Sequence, residues 1–239
     1  MIANQMGVKP VQKLDARQWI RLMIVFLLVP LLLLVCGSDW SWWQAWVLTL
    51  LMFAAGLGGR LWAERRHPGL LAERASFGTA QNVKPWDRVL SPLMAVSSSF
   101  VVVIVAGLDH RFGWTQAFTP GVTILGLLLV ALGYAFATWA LAENRFFSGV
   151  VRIQADRGHV VCDSGPYAIV RHPGYAGTLL ALPGIVLALS SLWTIIPAGL
   201  AFIVAVVRTN LEDRTLQAEL PGYRDYARRV RYRLIPGVY

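Results

Sequence analysis

The tetrapeptide Arg-His-Pro-Gly occurs twice in this chain of 239 residues, at positions 66–69 and 171–174. The second copy leads directly into a long apolar run, and Pro173 suits the first turn of a helix because that position needs no N–H donor. The free N–H groups and the positive dipole end of such a helix attract an anion such as a carboxylate. The residues that cluster at this predicted helix start are His159, Tyr167, Arg171, His172 and Tyr175.

The first copy, at 66–69, has an ordinary structural explanation. It follows an apolar run, and a positive cluster followed by proline and glycine commonly ends a membrane span on the cytoplasmic side. We therefore predict that the second copy is a functional site and that the first is a connector.

Arg208 and Glu212 form a third group, one helical turn apart at the end of the last apolar run. Three interpretations are open for them. They could form an intrahelical ion pair, although Arg before Glu is the less favourable order for one. They could extend separately to the membrane interface. They could also project together into a functional cavity on the inner side.

The composition indicates that a membrane positions these groups. The chain is 56% apolar and 15% charged, whereas an ordinary soluble domain is roughly 25% charged. Four apolar runs approach the roughly 20 residues that cross a bilayer as a helix, and a fifth is long enough for two short tilted helices that turn at Ser190 and Ser191. The runs are 20–35, 42–59, 89–108, 122–141 and 175–207.

The placement of positive charge supports an even number of spans. With six spans and the N-terminus inside, every one of the 22 Lys and Arg residues except Arg111 falls on the cytoplasmic side. Five spans would place Arg208 and all later arginines outside. The sequence therefore predicts an all-α integral membrane protein with about six transmembrane helices and both termini in the cytoplasm.

Other protein classes fit less well. The net charge of +9 could suggest nucleic-acid binding, but an excess confined to one membrane face is explained by topology and anionic headgroups, so no nucleic-acid partner is expected. No small-residue cleavage site follows the first run, which we interpret as an anchor. Cys36 and Cys162 lie on opposite sides and are not expected to form a disulfide. Pro221 and Gly222 predict a break between two C-terminal helices.

The region from 142 to 236 contains "VRIQADRGHVVCDSGPYAIVRHPGYAG" and "RTNLEDRTLQAELPGYRDYARRVRYRLIPG". The succession of Gly-x-Tyr, Arg-His-Pro-x-Tyr, Arg-x-x-x-Glu and Arg-Leu-x-Pro resembles the isoprenylcysteine carboxyl methyltransferase family. The Arg-His-Pro-x-Tyr part is shared with phospholipid methyltransferases. The upstream "PGLLAERASFGTAQNVKPWDRVL" also resembles inner loops of bacterial members of the family.

The resemblance implies an enzyme of the bacterial inner membrane that transfers a methyl group from S-adenosyl-L-methionine to a lipophilic acceptor delivered through the bilayer. It implies a core at 142–239, preceded at 1–141 by four transmembrane helices with the inner loop 60–88. It places Arg208 on the acceptor, with no metal. The implied cofactor contacts are Gln154, His159, Val160, Val161, Cys162, Tyr167, His172, Pro173, Gly174, Tyr175 and Glu212.

The chemistry of the cofactor agrees with this assignment. Its carboxylate suits the helix start at His172, its ammonium suits Glu212, and its sulfonium suits the face of Tyr167 or Tyr175. The acceptor is left open between a small lipophilic or lipidated carboxylate, a phospholipid amine and a small thiol. A non-enzymatic transporter is a further alternative, but no charged residue lies in the middle of a predicted span.

Overall fold

The computed structural model describes residues 14–75, 78 and 80–239. Within these residues the chain is all-helical and contains no strand, which confirms the predicted fold class. The predicted N-terminal part starts at residue 1, and its first 13 residues lie outside the described residues. The helices are α1 Ala16–Gly37, α2 Trp43–Arg66, α3 Leu70–Ala75, α4 Asp87–Phe112, α5 Pro120–Glu143, α6 Pro173–Ala188, α7 Ile195–Glu219 and α8 Tyr223–Arg229.

The helices α1, α2, α4, α5 and α7 are long and apolar enough to cross a bilayer. The sixth apolar helix, α6, has 16 residues and is shorter than a typical span. The fifth apolar run therefore does form two helices, with the turn near Ser190 as predicted, where Ser190 has φ 52°. The prediction that both would be short is wrong for α7, which continues through Arg208 and Glu212 to Glu219. The protein is an integral membrane protein.

Two π-helical stretches interrupt the regular helices α2 and α4. They cover Ala54–Gly58 and Val96–Val101. Such stretches widen a helix locally and are frequent at functional sites. Ala55, Gly56 and Ser98 in these stretches line the main cavity of the protein, so both irregularities border the same space.

Glycines bring α5 and α6 into direct backbone contact. A Cβ atom placed on Gly133 would lie 2.5 Å from the carbonyl oxygen of Gly177, and one on Gly184 would lie 2.8 Å from that of Gly126. These distances are far shorter than van der Waals contact, so only glycine fits. The close packing of small residues is a usual means of joining helices in membranes. It fixes α6, and with it the second Arg-His-Pro-Gly segment, against α5.

The C-terminal segment folds back onto the start of α6. The helix α7 ends at Glu219, Gly222 adopts a left-handed φ of 80°, and α8 follows, which confirms the predicted break. The chain then passes beside α6, where the N–H groups of Arg171 and His172 donate to the carbonyls of Tyr232 and Arg233, both at 2.9 Å. The C-terminal segment therefore fixes the residues that precede α6.

Candidate active site

A cavity of about 650 Å³ lies where the spanning helices meet the segment 144–172. It is lined by Arg208 and by every residue for which the sequence predicts a cofactor contact except Pro173. Pro173 begins α6 instead, which is the structural position that its ring favours. The predicted residues that line the cavity are Gln154, His159, Val160, Val161, Cys162, Tyr167, His172, Gly174, Tyr175, Arg208 and Glu212.

The first Arg-His-Pro-Gly copy, residues 66–69, lies outside the lining of this cavity and joins α2 to α3. The carboxylate of Glu64 accepts from the N–H groups of Gly69 and Leu71 at 2.8 and 2.9 Å, which caps the short helix α3. The ring of His67 contacts the carbonyl oxygen of Glu143 at 3.2 Å. The structure thus places the first copy in a connection between two helices and the second beside the cavity, and the functional role of the second copy stays a prediction.

The second copy is organised around Asp213, a fully buried carboxylate on α7. Arg171 donates to both oxygens of Asp213 from Nε and Nη2, at 2.8 and 3.2 Å. Arg233 donates from Nε at 3.0 Å, and the ring Nε2 of His172 lies 3.3 Å from Oδ1. Tyr223 donates to the same oxygen at 3.2 Å. The His172 ring therefore faces both the cavity and a buried anion, so the polar side of the second copy is largely occupied by protein contacts.

Arg208 pairs across the structure rather than along its own helix. Its Nε and Nη2 donate to the two oxygens of Asp87 at 2.6 and 3.1 Å, and Nη2 also donates to the carbonyl of Gly149 at 2.8 Å. Asp87 is fully buried and also accepts from the N–H of Val151 at 2.6 Å. Among the described residues no ion pair joins Arg208 to Glu212, so the intrahelical alternative is not observed. Arg208 also lines the cavity, and no hydrogen bond from its Nη1 is found within the residues that the structure describes.

Glu212 presents one free oxygen to the same space. Its Oε2 accepts from the hydroxyl of Tyr175 at 2.7 Å, and no bond to Oε1 is found within the part of the chain that the structure describes. The guanidinium carbon of Arg208 lies 5.5 Å from the centre of the Tyr175 ring. Tyr175 therefore contacts both the cation and the carboxylate, which lie one helical turn apart on α7.

Gln154 and His159 form the wall contributed by the segment before α6. Gln154 is buried and both ends of its amide are used, since Nε2 donates to the carbonyl of Phe146 at 2.7 Å and Oε1 accepts from Arg157 at 2.6 Å. Through these two hydrogen bonds, the side chain of Gln154 stabilises the conformation of the segment before α6. The Nδ1 atom of His159 accepts from the N–H of Gln154 at 3.3 Å, which leaves the proton on Nε2. Burial and neighbouring arginines lower the pKa of His159 to about 4, so its ring is neutral at pH 7.

The remaining predicted residues differ in exposure. Val160 is 59% exposed at the cavity rim, whereas Tyr167 is buried and its hydroxyl lies 3.5 Å from the carbonyl of Ala140. Burial raises the pKa values of the Tyr167 phenol and the Cys162 thiol, so both are protonated at neutral pH. Cys162 and Cys36 are both free thiols, as expected.

Two arginines of this cavity, Arg60 and Arg74, do not appear among the sequence-predicted site residues. Both line the cavity, as does Phe147, whose ring centre lies 5.0 Å from the guanidinium carbon of Arg74. The sequence offers no signal for them, because the inner loop 60–88 contains several arginines of similar surroundings. Among the described residues no cluster of three or more His, Cys, Asp or Glu side chains suitable for a metal ion is found.

The cavity therefore has a polar end and an apolar end. The polar end offers the Oε1 acceptor of Glu212, unused donors on Arg208 and Arg74, and the first N–H groups of α6. The apolar end lies between the spanning helices and includes Phe26, Met52, Leu182 and Ile185. Such a space suits a small polar molecule beside a molecule with an apolar chain.

Two comparisons with known proteins indicate what kind of protein has this cavity. The family model for phospholipid methyltransferase matches residues 122–220, which include most of α5, all of α6 and α7, and the segments that connect them. The chain is also 32% identical over 167 residues to the cobalt-zinc-cadmium resistance protein CzcN of Cupriavidus metallidurans, and the match covers 68% of each chain. The chain therefore belongs to the same family as CzcN, and the match of residues 122–220 to the phospholipid methyltransferase model places this region among the membrane methyltransferases.

Proposed function

We propose that this membrane methyltransferase transfers the methyl group of S-adenosyl-L-methionine to a lipophilic carboxylate, as isoprenylcysteine carboxyl methyltransferases do. The family normally uses this cofactor. The observation that carries the proposal is the cavity itself, in which the cofactor residues expected from the resemblance share one space with an apolar region between the helices. A lipophilic acceptor would enter that region from the bilayer.

The residues present fit the cofactor's charged groups. Glu212 has a free carboxylate oxygen for the ammonium group, and the N–H groups of Gly174 and Tyr175 at the start of α6 have no partner within the described residues and suit the carboxylate. The face of Tyr167 suits the sulfonium. The cofactor supplies a methyl group activated by the positive sulfur. The protein has to align that methyl group with the acceptor and exclude water.

A carboxylate acceptor needs no base. Its oxygen forms the new bond to the methyl carbon as the carbon–sulfur bond breaks, the sulfur leaves as a neutral thioether, and no proton moves. A thiol acceptor would have to lose a proton first. The neutral His159 ring is a poor candidate for that task because its Nδ1 is occupied and its Nε2 carries the proton. This arrangement favours the carboxylate over the thiol.

A second candidate is N-methylation of a phospholipid headgroup. The observation that favours it is the family match at residues 122–220, since that model describes phospholipid methyltransferases. Labelled cofactor separates the two candidates. A carboxylate acceptor yields a methyl ester that alkali hydrolyses to labelled methanol, whereas an N-methylated lipid keeps its label under the same treatment.

We further propose that the protein lies in the bacterial inner membrane, with the bilayer as its partner and both termini in the cytoplasm. This places α8 inside. In a chain with Cys36 and Cys162 replaced by alanine, Asp225→Cys is expected to resist a membrane-impermeant maleimide in intact cells, because Asp225 is exposed on α8. Gln116→Cys, exposed in the connection between α4 and α5, is the matched variant and is expected to react. Ready external labelling of Asp225→Cys would contradict the orientation.

The test of cofactor binding is Glu212→Gln. The substitution keeps the shape of the side chain but removes the charge that the ammonium group would meet, and a hydrogen bond to a charged group contributes about 1.5–3 kcal/mol. Calorimetric titration with S-adenosylhomocysteine is therefore expected to show affinity about 10- to 150-fold weaker than that of the wild type.

The matched variant for this titration is His67→Ala, in the connector copy. The ring of His67 contacts the carbonyl oxygen of Glu143 and lies outside the cavity lining, so the affinity of the variant for S-adenosylhomocysteine is expected to stay within about threefold of the wild type. Equal losses in the two variants would contradict both the role of Glu212 and the distinction between the two Arg-His-Pro-Gly copies.

A further inference from the structure

Arg74 is a partly buried arginine that the proposed chemistry does not use. It lies on the short helix α3, and its Nε and Nη1 atoms are buried without a hydrogen-bond partner. Among the described residues no other side chain contains such atoms. A buried donor without an acceptor destabilises the fold, and a buried unpaired charge does so more strongly. The contacts within the protein therefore do not explain why these two nitrogens of Arg74 are buried.

The surroundings of Arg74 are cationic. Arg60 also lines the cavity, and its Nη1 donates to the carbonyl of Gly56 at 2.8 Å. No ion pair to a carboxylate is found for Arg60 or Arg74 within the described part of the chain. Burial, together with the charges of Arg60 and Arg208, lowers the pKa of Arg74 to about 9. Arg74 still carries its charge at pH 7, and an anion beside it would relieve the repulsion.

The protein holds Arg74 in place through its neighbours rather than through its own donors. Glu73, the preceding residue, accepts from Nε and Nη2 of Arg152 at 3.1 and 2.7 Å. This contact joins α3 to the segment before α6 that contains Gln154 and His159. On the other side, the guanidinium of Arg74 lies over the ring of Phe147. Phe147 in turn leaves no room for a side chain at Gly174, where a Cβ atom would lie 2.8 Å from the ring. The cation is thus positioned while two of its nitrogens remain available.

The position of Arg74 and Arg60 relative to the apolar wall identifies the kind of ligand. Both cations line the same cavity as Phe26, Met52 and Ile185 of the spanning helices. A molecule with its apolar chain among these side chains could bring an acidic head group to the arginines. A free hydrophilic anion would leave the apolar wall unused.

We propose that Arg74, with Arg60 as a second cation, binds the anionic head group of an amphipathic ligand, and that this ligand is the methyl acceptor. The inference rests on the proposed function and adds the residues that recognise the acceptor's anionic group, which is the carboxylate of the proposed acceptor or the phosphate of the phospholipid alternative. Arg208 then lies beside the reacting group, while Arg74 supplies the charge that selects an anionic acceptor over a neutral one. Methylation of a carboxylate removes the charge and weakens this hold on the product.

The experiment compares radiolabelled palmitate with radiolabelled hexadecanol, which have the same chain length and differ in charge. Both are titrated onto the purified full-length protein in uncharged detergent micelles. Arg74→Gln is expected to weaken palmitate binding about 10- to 150-fold relative to the wild type and to leave hexadecanol binding unchanged, because the lost contact is a charged hydrogen bond. Arg74→Lys keeps the charge and is expected to retain part of the preference. Arg65→Gln removes an exposed arginine of the same loop and is expected to change neither affinity.

Three outcomes would overturn the inference. The first is equal palmitate binding by the wild type and Arg74→Gln. The second is a loss in Arg74→Gln of S-adenosylhomocysteine affinity instead of palmitate affinity, which would assign Arg74 to the cofactor carboxylate. The third is displacement of palmitate by equimolar inorganic phosphate, which would indicate a site for free anions. Failure of the wild type to bind S-adenosylhomocysteine would contradict the proposed function alone, because the palmitate comparison does not depend on it.

Discussion

Asp213→Asn is expected to destabilise the folded protein by about 3–5 kcal/mol, which is the usual effect of removing one partner from a buried ion pair. Asp213 is fully buried and accepts from Arg171 and Arg233 at 2.8 and 3.0 Å. Asparagine keeps the shape of the side chain but offers one acceptor oxygen and no charge. The guanidinium of Arg171, only 7% exposed, would then remain buried without its counter-ion.

The effect of Asp213→Asn is expected to reach the cavity as well as the stability of the fold. Arg171 also donates from Nη1 to the carbonyls of Val230 and Arg231, both at 2.9 Å, so the Asp213 cluster joins α7, the start of α6 and the C-terminal segment. When this cluster loosens, the N–H groups at the start of α6 lose their fixed position. Asp213→Asn should therefore lower the affinity for S-adenosylhomocysteine in addition to the free energy of unfolding.

Denaturant unfolding in detergent, followed by tryptophan fluorescence, measures the effect. The matched variant is Asp225→Asn, which removes the same charge from an exposed pair with Arg228 on α8. Exposed pairs contribute about 0–1 kcal/mol, so Asp225→Asn is expected to leave the free energy of unfolding nearly unchanged. Similar small effects in both variants would mean that the Asp213 cluster does not hold the C-terminal segment.

Apolar patterning predicts the helices of this protein well because a bilayer imposes a minimum length on each span. Their ends are less predictable. The helix α2 continues to Arg66 and α7 to Glu219, since Arg, Glu and Gln are strong helix formers and prolong a helix beyond its apolar run. Pro221 and Gly222 stop α7 by local chemistry, which is why that boundary could be predicted.

The site residues near the second Arg-His-Pro-Gly copy could be predicted because they are close in sequence and share a motif. The partner of Arg208 could not. Its counter-ion, Asp87, lies 121 residues away at the start of α4, whereas the sequence analysis considered only Glu212 as an ion-pair partner, as one of three interpretations. The side chain of Tyr175 contacts both Glu212 and Arg208, a detail of packing with no sequence signal. Arg74 could not be predicted either, because its place at the cavity depends on how the segment 60–88 folds.

The pairing of Arg208 with Asp87 leads to the second large expected effect. In Arg208→Lys, turnover of an isoprenylcysteine acceptor such as N-acetyl-S-farnesylcysteine is expected to fall about 10- to 150-fold in kcat/KM, which corresponds to loss of a charged hydrogen bond of about 1.5–3 kcal/mol. Lysine keeps the charge but has no planar fork. It cannot bind both oxygens of Asp87 and the carbonyl of Gly149 while a further donor remains beside the cavity.

Affinity for S-adenosylhomocysteine is expected to stay within about threefold of the wild type in Arg208→Lys, because the predicted cofactor contact on α7 is Glu212. The measurement is therefore paired with Glu212→Gln, which should show the opposite pattern. A comparable loss of cofactor affinity in both variants would mean that the two residues serve one task, and the assignment of Arg208 to the acceptor would be wrong.

Asp87→Asn tests whether Arg208 depends on its counter-ion. Asp87 is fully buried and does not line the cavity, so it acts on the acceptor through the cavity groups that it holds, which are the side chain of Arg208 and the N–H of Val151. Its replacement should reduce acceptor turnover by an amount similar to that of Arg208→Lys. The double variant should be no worse than either single variant, because both disturb the same contact. Additive losses would instead indicate that Asp87 and Arg208 act independently of each other, and the proposal that Asp87 positions Arg208 toward the acceptor would then be wrong.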